Sequence, residues 1–289
     1  MVNPWTGQGN PYTREEVLGR LRQTLDRGEA ILAAGAGIGI SAKFLEQGGA
    51  DLIIIYNSGR FRMAGQGSTA GMVAYSDANA VAMEIGEYEV LPVVQETPVI
   101  CGVHASDPRR RMWHWLGKVK DMGFSGVNNF PTHSIVDGQF RQVLEETGMG
   151  FQHEVEMVAL ARQMDLFSIV YVAKPQEAEA MAKAGADAVI AHVGTTIGGS
   201  IGVTAACCTI EDAARRTQEV CDAAKGVRDE VICLSHGGPI SAPKDAAYIN
   251  EHTDALGFVG ASSLERLAFE QALLDLTREF KKIPAARKY

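Results

Sequence analysis

The feature that most constrains this chain is a recurrence. Eight short apolar runs, at 30–34, 51–56, 99–103, 125–128, 167–172, 188–192, 231–234 and 256–259, are each followed by a glycine-rich or polar turn and then a helix-periodic stretch. Most are continuous rather than alternating, which suits parallel strands buried on both faces. Eight units in 289 residues give about 36 residues each, the length of a strand, a crossover helix and two loops. The expected fold is α/β, a single (β/α)8 TIM barrel. It comprises an N-terminal segment and helix over 1–29, the barrel over 30–281 and a tail over 282–289, with no Pro/Ser-rich linker dividing it. An open doubly wound sheet is the alternative, but eight regular units favour closure.

Helix signals agree. Thr13 with Glu16, and Ser262 with Glu265, have capping-box spacing. Pro108 and Pro175 read as first-turn prolines, since proline has no amide to leave unpaired there. Helices are expected over 109–122, 176–184, 210–225, 243–251 and 262–281, with one over 13–28 covering the barrel floor and extra helical stretches after strand four at 138–147 and 153–164. The connection 57–75, with Gly59, Gly65, Gly67 and Gly71, reads as a mobile lid or substrate loop.

Charge narrows the partners. Lys plus Arg is 27 against 35 Asp plus Glu, a net charge of −8, which argues against gripping nucleic acid through its phosphates. No 18-residue apolar run suggests a membrane span, and residues 1–14 lack the cationic lead into an apolar core of a signal peptide. Five cysteines without C-x-x-C spacing fit a reduced, cytoplasmic protein; Cys207 and Cys208 read as small apolar filler or a redox pair.

In a barrel, chemistry sits at the carboxyl ends of the strands. Asp51 and Asp187 precede their strands and are assigned to turns on the opposite face. Gly35-Ala36-Gly37-Ile38-Gly39 opens a helix near Ser41, so Gly35 and Gly37 could bring amides to an anion, or simply make a tight turn. The run lacks the dinucleotide pattern, and no nucleotide cofactor is expected. Strand seven ends in Ser235-His236-Gly237-Gly238-Pro239 and strand eight in Gly260-Ala261-Ser262-Ser263. Glycine amides and serine hydroxyls after these two strands are the parts of a phosphate or carboxylate site. His104 follows strand three, His192 and His236 end strands six and seven, and the three could move protons or hold a metal. Asp107 reads as an N-cap rather than a metal ligand. Asn57 and Asn128 could steady an enolate oxygen. Glu154, beside Glu156, is a base, a metal ligand or a surface salt bridge. Lys174 is a Schiff-base amine or a solvated lysine.

The segments 33–39, 56–60, 148–151 with 154–157, and 235–239 together resemble the phosphoenolpyruvate hydrolase-like family of TIM-barrel enzymes over essentially the whole chain, and the barrel half of a plant virus-resistance protein. The resemblance implies a link to phosphonopyruvate hydrolase and phosphoenolpyruvate mutase, barrels that use Mg²⁺ to hold a pyruvyl enolate during P–C cleavage. Mg²⁺ is therefore the implied ion, although no ligand set is assigned to it. The leading expectation is a hydrolase or lyase for a small phosphorylated or phosphonylated keto acid. The anion would rest on Gly237, Gly238, Gly260, Ala261 and Ser262, with His104 or His236 moving a proton. A Schiff-base aldolase using Lys174 and a ligand-sensing or protein-binding barrel are the alternatives. A homo-oligomer is expected. The run 109–115, charge followed by aromatics, reads as an interface helix or as a solvated first turn with a buried tryptophan.

Overall fold

A computed structural model describes residues 11–286; the first ten residues, and Arg287 and Lys288 of the basic tail, lie outside the described residues. Eight parallel strands, β1 Ile31–Gly35, β2 Leu52–Ile55, β3 Val99–Gly102, β4 Gly126–Asn128, β5 Phe167–Val172, β6 Ala188–His192, β7 Ile232–His236 and β8 Gly257–Gly260, close into a barrel in chain order. Ala33 pairs with Leu52 on one side and Val259 on the other, which seals the ring between its first and last strands.

Strand alternation divides the core in two. Ile31, Ala33, Leu52, Ile54, Ile100, Phe167, Ile169, Ile190, Leu234 and Val259 fill the interior. Their neighbours, among them Ile53, Ile55, Cys101, Val127, Val170 and Cys233, face the surrounding helices. Both faces are dry, hence the continuous apolar runs. Helix α1, Arg14–Asp26, closes the floor with Val17, Leu18 and Leu21, each worth about 1.5–3 kcal/mol when buried. Its Thr13–Glu16 capping box forms as expected. Asp51 accepts from Thr24 and from the Leu32 amide, and Asp187 from Arg14 and Ser168, so both acids tie the floor together.

The outer elements are α2 Gly39–Gln47, α3 Asn57–Met63, α4 Ala78–Ile85, α5 Met112–Met122, α6 Gly138–Glu146, α7 Gln152–Gln163, α8 Pro175–Ala184, α9 Ile210–Lys225, α10 Pro243–His252 and α11 Arg266–Lys281. Four of them correct the sequence reading. Most of the supposed lid 57–75 is ordered as α3 and a 3-10 turn, Ser68–Met72, and α4 was not foreseen. Helix α5 starts at Met112, and Pro108 lies in the turn before it. The Ser262–Glu265 capping box does not form, because α11 begins at Arg266 and the Glu265 carboxylate is used elsewhere. Trp113 of the 109–115 run is exposed, and Arg110 lies over the Trp115 ring. Cys101, Cys221 and Cys233 are buried thiols, whereas Cys207 is exposed and therefore not filler.

Candidate active site at the barrel mouth

Inward-facing positions at the carboxyl ends of the strands converge on one small cavity. Tyr56 follows β2, Phe130 follows β4, Tyr171 lies on β5, His192 and His236 end β6 and β7, and Ala261 follows β8. The rings pack edge to face and tilted: Tyr171 is 5.4 Å from His192 and 5.1 Å from His236, the two imidazoles are 5.0 Å apart, and Tyr56 lies tilted 4.5 Å from Phe130. The remaining wall combines hydroxyls, from Ser58, Ser68, Thr69, Thr195, Thr196 and Ser262, with Arg62 and the apolar Met72 and Ile135. The cavity holds about 60 Å³, and a further 110 Å³ adjoins it beneath residues 201–203 of the connection between β6 and α9.

Hydrogen bonds fix the two imidazoles in opposite tautomers. His236 Nδ1 lies 2.6 Å from the Val259 carbonyl oxygen, which can only accept, so Nδ1 carries the proton and Nε2 a lone pair. His192 Nδ1 accepts from the Gly194 amide at 3.3 Å, so its Nε2 carries the proton. Burial pushes both pKa values down, to about 4 for His236 and about 3 for His192, where the neighbouring His236 adds to the shift. Both rings are neutral near pH 7. The mouth thus presents one imidazole acceptor and one imidazole donor side by side.

Beneath this wall lies a buried ion pair. Arg62 of α3 donates Nε and Nη2 to Glu265 Oε2 at 2.7 and 2.6 Å, and Glu265 Oε1 accepts the Gly37 amide at 2.7 Å. The guanidinium also lies 6.0 Å from the centre of the Tyr56 ring. The anion expected at the Gly35–Gly39 turn is therefore the protein's own carboxylate, and Gly37 is not a substrate contact. Both glycines serve close packing. A Cβ on Gly37 would lie 2.3 Å from the Gly59 carbonyl oxygen, and one on Gly35 3.0 Å from Ala261.

The loops after β7 and β8 are corrected similarly. Gly237 and Gly238 have φ of +83° and +55°; the Gly238 amide donates to Gly194 O, and a Cβ on Gly237 would lie 2.1 Å from that oxygen. They lock the β7 turn onto the β6 turn rather than cradle an anion. Ser235 faces outward and donates to Gly257 O, and Gly260 packs against Leu264. Of the residues expected to hold the anion, Ala261 and Ser262 line the mouth.

The remaining candidates are elsewhere. His104 is outside the mouth, in a cavity of 520 Å³ beyond the rim, with Nε2 3.0 Å from Ser106 Oγ and its ring 6.2 Å from His133. Asp107 accepts from the Arg109 amide, Asn79 and Arg110; it caps a turn but no helix. Glu154 is fully buried. It accepts from Asn129, Thr132 and both the amide and Nδ1 of His133, so it organises the loop after β4 and is neither a rim base nor a surface salt bridge. Asn57 holds the 3-10 turn through Gly71 O, and Asn128 bonds Ile169 O inside the barrel, two residues before Phe130. In both, Oδ1 is buried with no partner among the described residues. Lys174 is exposed before α8 and lines none of these cavities, which removes the geometry a Schiff-base lysine needs.

Mg²⁺ seeks a set of carboxylate and other oxygen ligands. Around the mouth these are hydroxyls, phenols and imidazoles, and Glu265 has both oxygens engaged. No group of three or more His, Cys, Asp or Glu suited to a metal occurs among the described residues. The donor set does not fit the ion. Sequence reading missed Arg62, Tyr171, Thr195, Thr196 and Glu265. For Tyr56 and Tyr171 the inward strand parity was an available signal; for Arg62 and Glu265, 203 residues apart, there was none.

A model of the family described as phosphoenolpyruvate hydrolase-like matches residues 16–283. The ToMV resistance protein Tm-1(GCR237) of Solanum lycopersicum is 50% identical over 271 residues, 93% of this chain and 36% of that protein. The chain thus spans little more than a third of that relative's length. Among solved structures, a phosphonopyruvate hydrolase in complex with oxalate and Mg²⁺ superposes with a TM-score of 0.53 at 16% identity, covering 95% of this chain and 93% of that one. An oxaloacetate acetylhydrolase superposes at 0.58 with 14% identity, covering 93% and 87%. At these identities the likeness is one of fold.

Proposed function

Since the chain belongs to the phosphoenolpyruvate hydrolase-like family, we propose that its barrel mouth is the active site of a hydrolase or lyase for a small phosphorylated or phosphonylated keto acid, such as phosphonopyruvate or phosphoenolpyruvate. The observation that carries this reading is the pair of neutral imidazoles of opposite tautomer, 5.0 Å apart, in a cavity lined with hydroxyls that adjoins a second one through Ser68, Thr69, Thr195, Thr196 and Ser262. The serine and threonine hydroxyls bind the anionic end. His192 Nε2–H donates to the keto oxygen, where charge develops as the enolate forms. His236 Nε2 accepts the proton of the attacking water; an anion bound beside it favours the imidazolium and raises its pKa toward the working range. The balance for phosphonopyruvate is water in, pyruvate and phosphate out, with the C–P bond broken and a proton delivered to carbon. Fold neighbours named for phosphonopyruvate hydrolysis and oxaloacetate cleavage support the substrate class.

The test is pyruvate release from phosphonopyruvate and from phosphoenolpyruvate, with Mg²⁺ and with a chelator, by the wild type and by His236→Ala. Release that survives the chelator and falls by about 10² or more in the variant is expected. The absence of pyruvate from both compounds would sink the proposal. Half-identity to a resistance protein favours a second reading, a ligand-binding barrel without turnover. Thermal stabilisation by oxalate, abolished in His192→Ala and unaccompanied by product, would establish that reading instead.

A further inference from the structure

A second cavity, outside the mouth, has a volume of 520 Å³, within the range of small-molecule sites, and lies among the turns that follow β2, β3 and β4. Most of its wall is apolar: Met72 ends the 3-10 turn, Val136 precedes α6, Phe140 and Leu144 lie on α6, and Met149 follows it. Helix α6 is nine residues long and buries none of them. Phe140 and Leu144 face this cavity instead of a core, and Phe140 is 65% exposed. So short a helix draws its stability from packing, and here the packing surface is whatever fills the cavity.

One end of the cavity is polar, and buried groups hold it in place. Glu154, fully buried on α7, accepts from Asn129, from Thr132 and from the amide of His133. Its Oε1 also meets His133 Nδ1 at 2.8 Å; a carboxylate can only accept, so Nδ1 carries a proton. In the neutral ring that leaves a lone pair on Nε2, which has no hydrogen-bond partner among the described residues. His133 lines the cavity with the ring edge away from Glu154. His104 stands 6.2 Å from it, ring to ring, with Nε2 3.0 Å from Ser106 Oγ. Burial and then the nearby His133 lower the His104 pKa, so that ring is uncharged near pH 7. A buried carboxylate that orients an imidazole toward a cavity aims a hydrogen-bonding nitrogen at a ligand.

The charges in the wall are balanced. Asp77 and Asp107 are both paired with Arg109 and Arg110, and Arg109 is the one cation lining the cavity among the described residues. An anion finds no free partner there, and a cation would shed its water against apolar side chains. The free acceptor at the polar end calls for a neutral donor. We propose that this cavity binds a neutral apolar molecule bearing one hydroxyl, a phenol in its simplest form, with the hydroxyl donating to His133 Nε2 and the ring packed on Met72, Phe140 and Met149. Methionine sulfur and an aromatic edge both suit such a ring. The site adjoins the mouth across Met72 but is separate from it, and its occupancy does not depend on turnover of a keto acid.

Three probes share one apolar body: para-propylphenol carries a neutral donor, propylbenzene no polar group, and para-propylbenzoate an anion. Titrated into the full chain, the phenol is expected to saturate at one per chain, with propylbenzene about tenfold weaker and the benzoate weaker still. The phenol alone should move the Nε2 nitrogen resonance of His133. Leu144→Trp, which fills the cavity from α6, should abolish phenol binding while circular dichroism is unchanged. His133→Asn keeps an amide donor for Glu154 and removes the ring acceptor, so the phenol should drop to the affinity of propylbenzene. The resonance needs no substitution, and it decides the matter where His133→Asn fails to fold. Failure of the phenol to bind or to move that resonance overturns the proposal, as does equal affinity for phenol and propylbenzene. Preference for the benzoate would show a cationic site, and phenol binding that persists in Leu144→Trp would place it elsewhere; either result overturns the proposal as well.

Discussion

Arg62 and Glu265 have side chains 2% and 0% exposed, so each charge has given up its water and depends on the other. Burial works against the charge on Arg62, and Glu265 and Tyr56 together more than offset it, leaving the guanidinium pKa raised. Breaking such a pair costs about 3–5 kcal/mol, because a lone buried charge remains. Glu265→Gln is therefore expected to lower the urea unfolding midpoint sharply, and Arg62→Leu with Glu265→Leu to recover much of the loss. A double variant no more stable than the single one would show that the charges themselves are required. Local reasoning could not find this pair. Glu265 stands three residues after Ser262 and reads as a capping carboxylate, yet a partner far back in the chain captures it. His192 and His236 were legible because strand ends mark the mouth of any barrel, whereas nothing local marked His133 as the partner of Glu154.

At the scale of elements, glycines were the ambiguous signal. A glycine-rich turn after a strand can free amides for an anion or let two backbones touch, and both uses look the same in sequence. Here the second prevails: Gly37 meets Gly59 where the β1 and β2 turns cross, and Gly237 meets Gly194 between β6 and β7. The consequence is a contrast in sign for one substitution. Gly37→Ala forces Cβ into a carbonyl oxygen with only backbone to yield, and is expected to cost about 1–3 kcal/mol, as overpacking does. Gly19→Ala, in the middle of α1 with nothing within 4 Å of its Cβ, should instead stabilise by about 0.5–1 kcal/mol through lost unfolded-state freedom. Thermal melts of the two variants check this directly; equal and small shifts would show that the turns relax apart without cost.

The barrel as a whole was legible because one pattern repeats eight times, so an error of a residue or two in any strand does not change the count. The site was less so, since its walls come from six of the eight strand ends and loops brought together only by closure. That closure has a measurable signature in pH. His192 and His236 have pKa values of about 3 and about 4 in the folded protein against an ordinary 6.5, and His104 moves in the same direction through burial and His133. Below pH 6.5 the unfolded chain binds protons that the folded chain refuses. Their contribution to stability is thus complete above pH 6.5 and is lost as pH falls toward 4 for His236 and 3 for His192. The carboxylates Asp77 and Asp107 are held below ordinary values of 3.8, so their losses begin at lower pH, whereas burial raises Asp187, which acts in the opposite sense. Urea midpoints at pH 7.5, 6 and 5 should fall steadily in the wild type and much less in His192→Asn with His236→Gln. Oxalate should flatten the wild-type curve, because an anion in the mouth lets the imidazoles accept protons without unfolding the barrel. An unchanged slope in the double variant would mean that the rings are not held neutral, and the proton-transfer roles assigned to them would fall with that assignment.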